Sequence, residues 1–161
     1  MYTRVKVLDS AQTLAKELLL AIFFAALTTL GAQDAIRLPV SPVPVTLQVL
    51  MVLMAGLTLG SRRGFTSQLA YLAAGAMGLP VFAGGTGGPA ALWGPTGGYL
   101  MAFPLAAFAA GWLSERVVPA SRLGSFGASL AGLTVIYGGG ALWLMVWLRA
   151  TSAPSSQAAL L

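Results

Sequence analysis

Residues 64–114 read GFTSQLAYLAAGAMGLPVFAGGTGGPAALWGPTGGYLMAFPLAAFAAGWLS, without one charged side chain. A membrane-spanning helix needs about 20 mostly apolar residues, so this stretch is too long for a single span. Its divider is GLPVFAGGTGGPAALWGPTGG, residues 78–98, dense in glycine and proline. Both residue types interrupt helices, one by backbone freedom and one by a missing N–H. The division predicts one helix over about 64–78 and another over about 99–113.

Working outward, residues 45–60 form an apolar run closed by Ser61, Arg62 and Arg63. Before it stands PVSPVPVTLQ, whose Pro39, Pro42 and Pro44 are spaced too closely for a helix interior. A further span over 16–32 stops at the polar cluster Gln33, Asp34 and Arg37. Residues 126–148 are uncharged throughout and give a fifth span. After Arg149 a polar link, ATSAPSSQ, leads to Ala158, Ala159, Leu160 and Leu161, which read as the first turn of a sixth helix starting near 157. The expected architecture is a single all-α transmembrane domain over 1–161, with five complete helices and the beginning of a sixth.

Composition agrees. The chain is 57% hydrophobic and 8% charged, with a mean hydropathy of +0.83. A soluble domain carries about a quarter charged residues, so lipid is the expected main solvent. Nine Lys/Arg against four Asp/Glu give a net charge of +5. The basic residues stand at the ends of apolar runs, a topology signal and not a nucleic-acid patch. With the N-terminus inside, Arg4, Lys6, Lys16, Arg62, Arg63, Arg116 and Arg122 are cytoplasmic, and only Arg37 and Arg149 lie outside. Seven against two favours that orientation. The proline-rich and glycine-rich segments then share the outer face. Trp143 and Trp147, just before Arg149, sit where an outer aromatic belt would stand. The polar stretch MYTRVKVLDSAQTLAKE lacks the features of a cleaved leader.

Catalytic chemistry has few carriers here. Cysteine and histidine are both absent, which removes thiol nucleophiles, the commonest proton shuttle and the usual transition-metal ligands. Asp9, Glu17, Asp34 and Glu115 all stand at span ends. The GGTGG run at 84–88 is no phosphate loop, because that loop needs a following lysine and no lysine occurs after Lys16. Any ATP hydrolysis must therefore belong to another subunit; no enzyme activity, cofactor or metal is expected.

An ordinary surface connection is the competing account of residues 78–98. Its length without charge speaks against that. Glycine, threonine, tryptophan and proline together let backbone amides approach a ligand under an aromatic cover. Irregular backbone at membrane depth is tolerated where it lines a cavity. Thr46 and Gln48 likewise bring hydrogen-bonding groups into an apolar span. Two such segments on one face predict an outward-facing pocket. Small residues four apart, such as Ala21 with Ala25 and Ala106 with Ala110, permit close helix approach, within the bundle or toward a partner.

Taken in order, SPVPVTLQ, a span with a basic turn, GLPVFAGG and GPTGGYL resemble the BioY family over about residues 18–150. That family comprises the biotin-specific substrate-capture (S) components of energy-coupling factor (ECF) transporters. The resemblance implies a six-helix bundle in the bacterial plasma membrane that holds biotin near the outer face. It also implies a transmembrane coupling protein and two cytoplasmic ATPases as partners, docked through Ala21 and Ala25. The ligand-contacting loops match Pro39–Gln48 and Gly84–Gly98. On this reading the candidate biotin contacts are Thr46, Gln48, Gly85, Thr86, Gly87, Trp93, Thr96, Tyr99 and Tyr137. The family's last helix carries an Asp and a Lys that help bind biotin, and the sequence stops before that signature. The expectation drawn from this departure is weak biotin binding. Rival readings are an S component for another vitamin and a non-transporting membrane scaffold.

Overall fold

The computed structural model describes residues 2–37, 39, 41–116 and 122–152, with residues 2–12 described as helical backbone alone. The sixth helix expected near 157 lies outside the described residues. In chain order the elements are α1 (Tyr2–Gln33), α2 (Gln48–Leu59), α3 (Ser61–Ala76), a 3-10 turn (Ala83–Gly85), α4 (Pro89–Trp93), α5 (Gly97–Arg116) and α6 (Arg122–Ser152). Among the described residues the extended backbone amounts to two isolated antiparallel bridges, Ile36 with Val45 and Phe82 with Thr86.

The helix limits differ from expectation for local reasons. α1 begins at Tyr2 instead of residue 16, because the polar stretch before the apolar run contains no glycine or proline to stop it. α3 begins at Ser61, so Ser61, Arg62 and Arg63 are its first turn and not a link. Gly60 alone separates α2 from α3, with a φ of 82° that L side chains rarely adopt. The glycine-rich divider, expected to be irregular throughout, contains the short helix α4, started by Pro89 at its N-terminus. α6 runs from Arg122 to Ser152, beyond the expected 126–148 at both ends.

α5 is central, packing on α2, α3 and α6, while α1 lies against α2 and α3. The core comprises Val52, Tyr71, Phe82, Leu100, Phe103, Ala106, Ala107 and Ile136. Alanines permit the approach, and at Gly56 it becomes backbone contact: a Cβ there would lie 2.3 Å from the Ala107 carbonyl oxygen. Gly64 of α3 packs in turn on the Gly56 backbone, and Gly111 of α5 on Ser61.

Three helical stretches are long and apolar enough to cross a membrane, Thr13–Gln33, Gly97–Arg116 and Arg122–Ser152, and α2 is a shorter apolar helix. Leu18, Ile22, Phe23, Leu142 and Val146 are among their exposed apolar side chains. α3 carries the polar groups inward. Ser67 and Gln68 are fully buried; Ser67 Oγ donates to the Ala21 carbonyl at 2.9 Å, and Gln68 Nε2 donates to Thr28 Oγ1 at 3.1 Å. Lipid supplies no hydrophobic drive between helices, so packing and such bonds hold a bundle together. One end of the α1–α3 seam is closed by an ion pair, Arg63 Nη2 to Glu17 Oε1 at 2.7 Å.

Candidate functional site

The proline-rich excursion after α1 is pinned where it leaves and returns. Ile36 N–H donates to the Val45 carbonyl and Val45 N–H to the Ile36 carbonyl, both at 2.9 Å. Leu47 N–H donates to the Gly31 carbonyl at 3.0 Å, setting the start of α2 against the end of α1. On the other side, Phe82 N–H donates to the Thr86 carbonyl at 2.9 Å, and the indole N–H of Trp143 donates to the Gly94 carbonyl at 2.9 Å. Both irregular segments are therefore held at the same end of the bundle.

Between them opens a cavity of about 460 Å³. Arg37, Ser41, Thr46 and the intervening prolines form one wall; Phe82, Ala83 and Thr86 form another. Gln48 and Val49 of α2, Thr96, Tyr99, Leu100 and Phe103 at the start of α5, and Tyr137 of α6 complete it. Tyr99 and Tyr137 meet edge to face, centroids 6.2 Å apart.

A directed chain of hydrogen bonds backs this cavity. Tyr71 Oη donates to the Val81 carbonyl at 3.0 Å, so its oxygen is left to accept from Gln48 Nε2. That fixes the amide of Gln48 with its oxygen toward Thr46, whose hydroxyl donates to Gln48 Oε1 at 3.0 Å. Thr46 Oγ1 accepts from the Gln48 backbone N–H at 3.4 Å. Gln48 is 4% exposed and keeps one N–H and one lone pair outside the chain, a paired donor and acceptor at the cavity wall. Tyr71 is held by its ring, stacked on Phe103 and edge-on to Phe82. No buried side-chain nitrogen or oxygen among the described residues lacks a partner.

Of the candidate contacts, Thr46, Gln48, Thr86, Thr96, Tyr99 and Tyr137 come together in this cavity. Gly85, Gly87 and Trp93 stand outside its walls. Gly85 faces Gln33 at the end of α1, and Gly87 is pressed on the backbone of Leu79, where a Cβ would lie 2.2 Å from the carbonyl oxygen. Trp93 is 67% exposed and packs against Trp143. Trp143 is thus engaged by its indole N–H inside the protein and is not simply a membrane anchor. Ala21 and Ala25 are half-buried on the side of α1 that meets α3: Ala21 accepts the Ser67 bond and Ala25 packs on the core. Two site residues escaped sequence reasoning. Arg37 was visible only as a topology marker, and Tyr71 had no local signal, its partners lying on α2 and beyond α3. No cluster of His, Asp or Glu suited to a metal occurs among the described residues.

Comparison with known proteins gives this arrangement a lineage. A family model described as "BioY family" matches residues 3–161. "Probable biotin transporter BioY" of Pyrococcus horikoshii is 50% identical over 81% of this chain and 75% of its own length. A protein of that same description from Lysinibacillus sphaericus is 44% identical over 74% of this chain. The chain spans 60% of that relative's length. The crystal structure of the S-component for biotin from an ECF-type ABC transporter superposes with a TM-score of 0.76 and 33% identity, over 83% of this chain and 73% of that one. Together with the apolar helices, these likenesses make it a multi-pass membrane protein. On the family match and the shared identity, the chain belongs to the BioY family.

Proposed function

We propose that this chain captures biotin from outside the cell as the substrate-specificity subunit of an ECF transporter. The observation that carries the reading is the Thr46–Gln48–Tyr71 chain at the wall of a 460 Å³ cavity in a member of the BioY family. Biotin's ureido ring offers one carbonyl acceptor and two N–H donors. The free N–H and lone pair of Gln48 match a donor–acceptor edge of that ring, with Thr86 and Thr96 as further hydroxyl partners. Val49, Leu100, Phe103 and the Tyr99–Tyr137 pair cover its apolar body. Capture is non-covalent, and both relatives described above bear transporter names.

The finer features of the reading are these. Five helices, α1, α2, α3, α5 and α6, cross the bilayer, with the N-terminus cytoplasmic on the strength of seven basic residues against two. The cavity then faces outward. A transmembrane coupling protein docks on α1 beside Ala21 and Ala25, and two cytoplasmic ATPases supply the energy this chain has no motif to supply.

Titration of the purified chain in lipid nanodiscs with biotin, riboflavin and thiamine tests the assignment. Saturable binding of biotin alone is expected. Preference for another vitamin, or no saturable binding of any, overturns it.

A further inference from the structure

The cavity is polarised along its depth. Its buried polar groups are neutral: the Gln48 amide, the Thr46 hydroxyl and, behind them, Tyr71 Oη. Arg37 is the one charged side chain among the described residues that line it. It is exposed and directly follows Ile36, whose bridge to Val45 anchors the backbone there. Its Nη2 lies 3.6 Å from where a Cβ on Gly84 would stand, so the guanidinium reaches from the proline-rich wall to the 3-10 turn on the opposite wall. Among the described residues no hydrogen bond or ion pair engages it; the ion pair present there joins Arg63 and Glu17.

An anion deep in this cavity would meet neutral groups only, and an ionised carboxylate buried without a cation is heavily penalised. At the mouth it meets a planar five-donor fork that suits carboxylates. We propose that Arg37 is a specificity-determining residue that holds the ligand's carboxylate at the cavity mouth. The neutral ring enters first and the acid tail is left at the surface. This rests on the biotin-capture reading and assigns the ligand an orientation within it.

The test uses the full chain in nanodiscs, as wild type, Arg37→Gln and Arg37→Lys, titrated with biotin and with biotinol, whose carboxylate is replaced by a primary alcohol. Arg37→Gln is expected to weaken biotin by roughly ten- to a hundred-fold, the worth of a charge-assisted hydrogen bond, and to leave biotinol unchanged. Arg37→Lys keeps the cation and restores part of the biotin affinity. An unchanged biotin affinity in Arg37→Gln overturns the proposal, as does an equal loss for both ligands. A wild-type chain that binds neither ligand overturns the capture reading itself, and this one with it.

Discussion

Glu115, in the last turn of α5, grips Ser61 at the first turn of α3 with both carboxylate oxygens. Oε1 accepts the Ser61 backbone N–H at 2.8 Å and Oε2 accepts Ser61 Oγ at 2.9 Å. A helix N-terminus exposes unpaired N–H groups and favours negative charge, so a residue distant in sequence caps α3. Gly60 makes room for it, since a Cβ there would stand 2.2 Å from Glu115 Oε1.

Removing that grip should loosen the bundle. Glu115→Ala is expected to cost about 1–2 kcal/mol of stability, and Gly60→Ala a comparable amount through strain and displacement of the carboxylate. Because both lose the same cap, the double variant should fall short of the sum. Thermal unfolding in nanodiscs reads this; full additivity would show the two residues to act independently.

Tyr71→Phe keeps the ring between Phe82 and Phe103 but strands the Gln48 amide and the Val81 carbonyl. A loss of about 1–3 kcal/mol in stability is expected, with biotin binding weakened by about ten-fold as Gln48 loses its fixed orientation. Titration and thermal unfolding measure the two effects. A variant that binds and melts like wild type would show the hydrogen-bond chain to be dispensable.

Orientation is checked with single cysteines, the chain having none of its own. Ser41→Cys and Thr86→Cys should react with a membrane-impermeant thiol reagent added outside intact cells. Arg62→Cys should not; it replaces Ser61 as the inner probe because Ser61 is 7% exposed. Labelling of Arg62→Cys alone inverts the topology.

The assigned docking stripe is separable from packing. Ala25→Leu should abolish co-purification with the coupling protein while the isolated chain still binds biotin. Parallel loss of biotin binding and of thermal stability would return Ala21 and Ala25 to the α1–α3 seam, where Ser67 already bonds to Ala21.

Much of the architecture was legible because lipid-facing helices are written as apolar runs and their ends as glycine, proline and charge. Thr46 and Gln48 stood out as polar groups in an apolar setting, and both line the cavity. Tyr71 did not, because a lone tyrosine in a helix acquires meaning only from Gln48 and Val81 across space. Arg37 was read through its charge and so through topology; only the fold brings it opposite Gly84. The length of α1 was missed because hydropathy marks where a helix is dissolved in lipid and not where its hydrogen bonding stops.

The backbone contacts at Gly56, Gly64, Gly111 and Ala107 have a mechanical meaning. They gather α2, α3 and α5 into a knuckle at the end of the bundle opposite the cavity, with Glu115 as its latch. Side chains thick enough to act as springs are missing at that joint, so the three helices pivot there together or not at all. Breathing is concentrated at the free end, where the two pinned segments face each other. Ligand exchange becomes a matter of parting two lips over a stiff stem, and the time biotin stays bound is set at the rim while the stem stays closed.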